Sequence, residues 1–463
     1  MLTLLPDFWD PQDRNHNRDR DRDHDVIALT HVCRAWRELF ISRSSLWTNF
    51  YCVDPDKTHT YLERSKSSPI NLSLSGHHGL SSSDPFLQIV PHAIKRLKSL
   101  SIKVVSETLP DIIAHLSLPA PHLEHLSIDG DCESAPQRNP VLTSTLFNGA
   151  LSSLRELCLK SVRTELPWKN MVNLTSFTLA HTLPGEICVR YLLNFFESAP
   201  RLREVHLRST TPTSGAQDGR SVSLTNLKWM TILGSGPTSL LLNHLLIPVG
   251  ATLITQADLS GPLIEDHLPK SLDNLRNLSG FSEIRLYVIR WYPRVRFSGP
   301  NGQVTMVPIT FRMGSTHLVL ESLTRFDTSK VKRMEIEYGE RLCEGPSSRD
   351  LPYQALLPMK SLRTLTLSAC QGTHTFISAL HPSTSSEDVV CPELEELVLA
   401  LPMDRAKLNI EAVIEMAATR ASRGAKLKSV RIVSCDEAMK AGALELRKHV
   451  LRVRCGPDAR RDG

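Results

Sequence analysis

The side chains best placed for chemistry in this 463-residue chain are five arginines, Arg285, Arg290, Arg294, Arg296 and Arg312, gathered around Trp291 and Tyr292. Guanidinium forks and rigid aromatic rings anchor protein interfaces, so the chemistry they offer is recognition and not bond-making. Two alternating runs flank the turn sequence Ser298-Gly-Pro-Asn-Gly302 and predict a β-hairpin over residues 291–312. Trp291, Tyr292, Arg294 and Arg296 are therefore the candidates for contact with a target protein. A blander reading stands beside this one, an edge hairpin whose charges discourage strand-to-strand aggregation.

Bond-making chemistry finds no motif. The chain has no phosphate-cradling Gly-x-x-x-x-Gly-Lys, no Gly-x-Ser-x-Gly elbow and no His-Glu-x-x-His helix. His77 and His78 are adjacent, without Cys, Asp or Glu at ligand spacing, and do not make a metal site. Lone histidines such as His125, His206 and His317 lie in or beside apolar runs and read as structural. The expectation is a protein that is no enzyme and needs no cofactor or metal.

Composition narrows the partners. A net charge of +5 comes from 54 basic and 49 acidic residues. The basic residues are dispersed, so nucleic acid is not expected. Ten cysteines occur without a Cys-x-x-Cys pair and read as reduced thiols of an intracellular protein, cytoplasmic or nuclear. Leu2, Leu4 and Leu5 before Pro6 are too few for a secretory signal. No apolar run approaches the roughly 20 residues that span a bilayer, and a membrane is not expected either.

What positions the candidate residues is a recurring row of aliphatic side chains. Leu362/Leu365/Leu367 returns as Leu97/Leu100/Ile102, Leu123/Leu126/Ile128, Leu154/Leu157/Leu159, Leu174/Phe177/Leu179, Leu202/Val205/Leu207 and Leu394/Leu397/Leu399. Each copy predicts an inward turn residue followed by a short strand with alternate side chains facing one way. Between copies, stripes such as Val189/Leu192/Leu193/Phe196 and Ile410/Val413/Ile414/Ala417 predict helices packed behind the strands. Self-similarity at intervals of this kind means stacked units, none able to bury its apolar face alone. The pattern resembles the leucine-rich repeat, with Cys370 and Cys435 at the position where that consensus places Asn or Cys. The expected fold class is thus α/β, an irregular solenoid of parallel strands with returning helices over residues 69–455. The helix after Asp436 is expected to cap its last repeat, with a tail at 456–463.

Ahead of the repeats, residues 1–25 are polar, with Arg18-Asp-Arg-Asp-Arg22 alternating charge, and predict a disordered extension. Residues 26–68 predict a compact helical unit. Leu29, Val32, Cys33, Trp36, Leu39 and Phe40 share one helical face, followed by a Ser42–Ser45 turn and then Leu46, Trp47 and Phe50.

The run Val32-Cys-Arg-Ala-Trp36-Arg-Glu-Leu39-Phe, followed by Ser44-Ser-Leu46-Trp47, resembles the carboxy-terminal half of an F-box, in the form common in mushroom-forming (basidiomycete) fungi. In that family a small helical unit docks on the Skp-type adaptor of a cullin-RING ubiquitin ligase, and the repeats behind it hold the substrate. The resemblance implies adaptor contact through Leu5 and Pro6, the family's opening pair, and through Val32, Cys33, Trp36, Leu46 and Trp47. It implies a substrate-recognition subunit whose partners are the adaptor and a target protein. Residues 7–25 depart from the family's amphipathic first helix, with only Phe8 and Trp9 apolar. That departure supports the alternative, a repeat scaffold that binds a partner with no ligase attached.

Overall fold

The computed structural model describes residues 27 to 456, apart from 52–54, 77–89, 106, 132–140, 143–145, 150, 165–167, 169–170, 182–186, 211, 214–218, 235–237, 258–267, 270, 290–291, 300–303, 309–319, 321–322, 338–349, 369–372, 382–388, 401–408 and 434–436. The chain divides into two units, Met1–Leu227 and Lys228–Gly463. The division falls inside the stretch expected as one body of repeats. Within each unit the architecture is α/β, with parallel strands dominating.

The first unit opens with a helical segment ending at Thr30, then α1 (Arg34–Ser42), a 3₁₀ turn over Ser44–Trp47, strand β1 (Asn49–Tyr51) and α2 (Pro55–Ser65). Six strands follow: β2 (Ile70–Gly76), β3 (Leu97–Val105), β4 (His125–Asp131), β5 (Glu156–Lys160), β6 (Ser176–Ala180) and β7 (Glu204–Arg208). Each pairs in parallel with the next, β1 with β2 included. The first strand of the sheet thus begins at Asn49, inside residues 26–68, the stretch expected as a compact helical unit.

Register turns the recurring aliphatic positions into continuous rows. Leu72, Leu100, Leu126, Leu157, Phe177 and Val205 stand opposite one another from strand to strand, as do Leu74, Ile102, Ile128, Leu159, Leu179 and Leu207. All twelve are buried, and each such side chain contributes about 1.5 to 3 kcal/mol on burial. A one-residue slip would turn both rows out to solvent, which is what pins the register. The leading residue of each copy sits in a tight turn: the amides of Leu123, Leu154, Leu174 and Leu202 donate three residues back, to Ala120, Leu151, Met171 and Ala199, at 3.0–3.2 Å. Behind the strands lie α3 (Leu109–His115) and α4 (Val189–Ser198), the latter burying Leu192, Leu193, Phe195 and Phe196. The 20-residue interval after Leu154 returns as extended chain, Arg163–Thr164 pairing with Val141–Leu142.

The second unit begins with β8 (Trp229–Gly234) and β9 (Thr252–Ala257), parallel to each other. Next come β10 (Glu283–Ile289), β11 (Tyr292–Ser298) and β12 (Val304–Pro308), with β11 antiparallel to β10 and β12 antiparallel to β11. Strand β12 then pairs in parallel with β9, and β10 with β13 (Arg333–Glu337). The order in space is β9-β12-β11-β10-β13, so the predicted hairpin is no edge. It is spliced into the middle of the sheet, with β9 parallel to β12 on one side and β10 antiparallel to β11 on the other, and the edge-guarding role of its charges falls away.

From β13 the parallel ladder runs through β14 (Thr364–Ser368), β15 (Glu396–Ala400), β16 (Ser429–Val433) and β17 (Arg452–Cys455). The rows Ile284/Met334/Leu365/Leu397/Val430 and Leu286/Ile336/Leu367/Leu399/Ile432 are buried throughout. Helices α5 (Leu351–Leu356), α6 (Thr373–Leu380), α7 (Ile410–Ser422) and α8 (Glu437–Leu446) alternate with these strands. The helix expected as a cap is thus followed by one more strand. Among the described residues, β17 pairs on one side only.

Candidate functional site

The site the sequence points to first is the helical head, and its two tryptophans part company there. Trp47 is fully buried. Its indole Nε1 donates to the Phe40 carbonyl at 2.9 Å, its ring meets Tyr61 edge to face at 5.0 Å, and the Arg64 guanidinium lies 4.4 Å from its centroid. These contacts tie α1 to α2. In this chain Trp47 packs the core of the head, and the adaptor contact expected for it stays an expectation.

Trp36 does the opposite. Helix α1 has no buried residue at all. Val32, just ahead of the helix, is 61% exposed; on α1 itself Trp36 is 44% and Leu39 52% exposed, and their spacing of three residues places these two on one face. Trp36 stacks on Phe40, with centroids 5.9 Å apart, so one residue joins the exposed indole to the buried one. The helix is held along its other side by Arg37, whose Nε donates to the Thr30 carbonyl at 3.0 Å, and by an exposed Arg34–Glu38 pair at 2.9 Å. The apolar stripe that sequence spacing assigned to the core of the head faces solvent. Large exposed apolar side chains in contiguous array mark interaction surfaces.

The remaining candidates divide. Cys33 is exposed beside this stripe and Leu46 is half-buried in the 3₁₀ turn. Leu5 and Pro6 lie outside the described residues, as does the whole 1–25 extension. Leu39 was not among the residues expected to make contact; its exposure three residues after Trp36 adds it to the candidates.

In the second unit, Trp291 lies outside the described residues, and Tyr292, Arg294 and Arg296 fall on β11. Arg296 stands opposite Arg285 across the antiparallel pair, an arrangement of like charges that costs stability unless answered. Arg285 is answered from its other neighbour, β13, by Glu335 at 3.4 Å and Glu337 at 3.2 Å. Burial holds the Glu335 carboxyl above its ordinary range, with Arg285 pulling it back down. These groups make a charged, partly buried patch on the face of the sheet opposite the aliphatic rows.

Among the described residues no cluster of three metal-ligating side chains occurs, and no helix is long and apolar enough to cross a membrane. His77 and His78 lie outside the described residues. Compared with family models and with curated proteins, the chain matches none.

Proposed function

We propose that this chain is a substrate-recognition subunit of a Skp-cullin-F-box type ubiquitin ligase, with α1 docking on the Skp-type adaptor and the parallel-strand body holding a target protein. On this reading it works in the cytoplasm or nucleus. The observation that carries it is the unburied α1, whose Trp36 and Leu39, with Val32 just ahead of the helix, present exposed apolar surface among the described residues. A single helix laying such a surface into a partner's groove is a standard mode of recognition, read as anchors three, four and seven residues apart. Sequence supports the reading through the F-box-like run from Val32 to Trp47. The target would contact the sheet face around β10, β11 and β13.

A second reading, a ligase-independent scaffold, draws on the polar composition of residues 7–25, in which only Phe8 and Trp9 are large and apolar. Co-purification with the Skp-type adaptor separates the two. Trp36→Ala with Leu39→Ala is the informative variant, because both side chains are exposed and their loss leaves the fold standing. Trp47→Ala is not, since removing a buried indole costs about 3 to 5 kcal/mol and would unfold the head. The expected result is adaptor capture by the unmodified chain, reduced about 30-fold or more in the double variant, the size of a central aromatic anchor. No capture by the unmodified chain would leave the scaffold.

A further inference from the structure

We infer that the open edge of β17 is a binding site for an extended peptide of alternating acidic and apolar residues, which adds to the sheet as its next strand. The backbone sets the geometry. Arg452 N donates to Lys428 O at 3.0 Å and Gly456 N to Ile432 O at 3.2 Å, so the even-numbered residues turn their amides toward β16. By the two-residue period of a strand, Val453 and Cys455 direct theirs at the open side. An unpaired row of this kind is a ready template for strand addition.

The side chains choose the occupant. Facing the core, Val453 and Cys455 continue the buried rows of Val430 and Ile432, yet Cys455 is exposed and Val453 only half-covered. Leu451, just before the strand, is 68% exposed, and Leu444 on α8 63%. Among the described residues, the inner side of this edge therefore lacks the apolar covering that β13 to β16 receive. On the outer side, Arg452 and Arg454 line a cleft of about 450 Å³ with Lys428 and Arg431. Glu395 in that cleft is engaged by Lys428 at 2.6 Å, and Glu396 also borders it. Among the described residues no carboxylate pairs with Arg452 or Arg454. A second copy of the chain would set arginines against arginines, which is destabilising for directly opposed strands. A strand with acids on one face and aliphatics on the other satisfies both faces at once. Helix α1 plays no part, so this site stands apart from the adaptor reading.

The test uses the full chain and a fluorescein-labelled octapeptide of alternating Glu and Val, read by anisotropy. Binding is expected, weakening as salt rises, and lost for an alternating Lys and Val peptide and for a block peptide of four Glu then four Val. Two variants localise it. R452E with R454E should weaken binding about 10-fold or more. Val453→Pro, which removes an outward amide and leaves the bonds to β16, should do the same. Equal binding of all three peptides, indifference to both variants, or no binding at ~1 mM peptide, a Kd limit worth only about 4 kcal/mol, overturns the inference. So does a concentration-dependent dimer that Val453→Pro abolishes, since the occupant would then be a second copy.

Discussion

Arg420 is fully buried on α7, where a guanidinium needs hydrogen-bond acceptors; its two terminal nitrogens find them, while Nε has none among the described residues. Its Nη1 donates to the Val390 carbonyl at 2.7 Å and its Nη2 to the Cys391 carbonyl at 2.8 Å. Cys391 holds a positive φ of 48°, and its carbonyl also receives the Leu394 amide at 3.0 Å. The arginine thus clamps the turn that inserts the leading Leu394 of its repeat. Burial lowers the Arg420 pKa and pushes the Cys391 thiol up to about 12. The sign of the consequence follows. Below the ordinary thiol value of 9.0 the group is protonated folded or unfolded. Between there and about 12 the unfolded chain releases a proton that the folded chain keeps, so stability falls as pH rises, by up to about 1.4 kcal/mol per pH unit. Urea midpoints at a series of pH values from 8 to 11 should decline more steeply for the unmodified chain than for Cys391→Ala. Parallel declines would remove the thiol from the account. The arginine itself was legible by spacing alone: Arg420 follows Val413 and Ala417 on the stripe read as core. Charge spoke against that position, and only the neighbouring turn, distant in sequence, supplies the acceptors that answer it.

At the scale of elements, the meander β10-β11-β12 makes a demand that an edge hairpin would not. Phe297 on β11 is buried, 4.8 Å from the ring of Phe281 and 4.5 Å from that of Phe326. Since β11 lies between β10 and β12, and β12 carries the pairing to β9, a defect there interrupts the sheet of the second unit. Phe297→Ala is expected to cost about 3 to 5 kcal/mol in urea unfolding. A loss under about 1 kcal/mol would mean a peripheral hairpin. The aliphatic rows were readable from sequence because a period of two announces both a strand and its buried face, as with Leu365 and Leu367. The same alternation at Val295 and Phe297, with the turn that follows, announced a hairpin but not the strands that flank it. Pairing of Thr305 with Leu253 joins positions far apart in the chain, and no local pattern encodes such a choice. The exposure of α1 escaped for a related reason: a stripe is drawn by spacing, whereas what covers it depends on everything else.

For the molecule as a whole, the proposed function divides labour between surfaces in different units: the α1 stripe delivers, and the strand face of the second unit selects. A chain that selects but cannot deliver should then do harm of a particular kind. Trp36→Ala with Leu39→Ala removes two exposed anchors and leaves β10, β11 and β13 untouched, so target binding persists while the ligase is out of reach. Expressed beside the unmodified chain, the double variant competes for targets and shields them. Proteins that co-purify with both chains are therefore expected to rise in abundance with the variant and to fall when the unmodified chain is overproduced, as read by quantitative proteomics. Opposite responses to two chains that differ only on α1 require that binding be coupled to turnover. Abundances that respond to neither chain would break that coupling and assign the strand face to scaffolding alone.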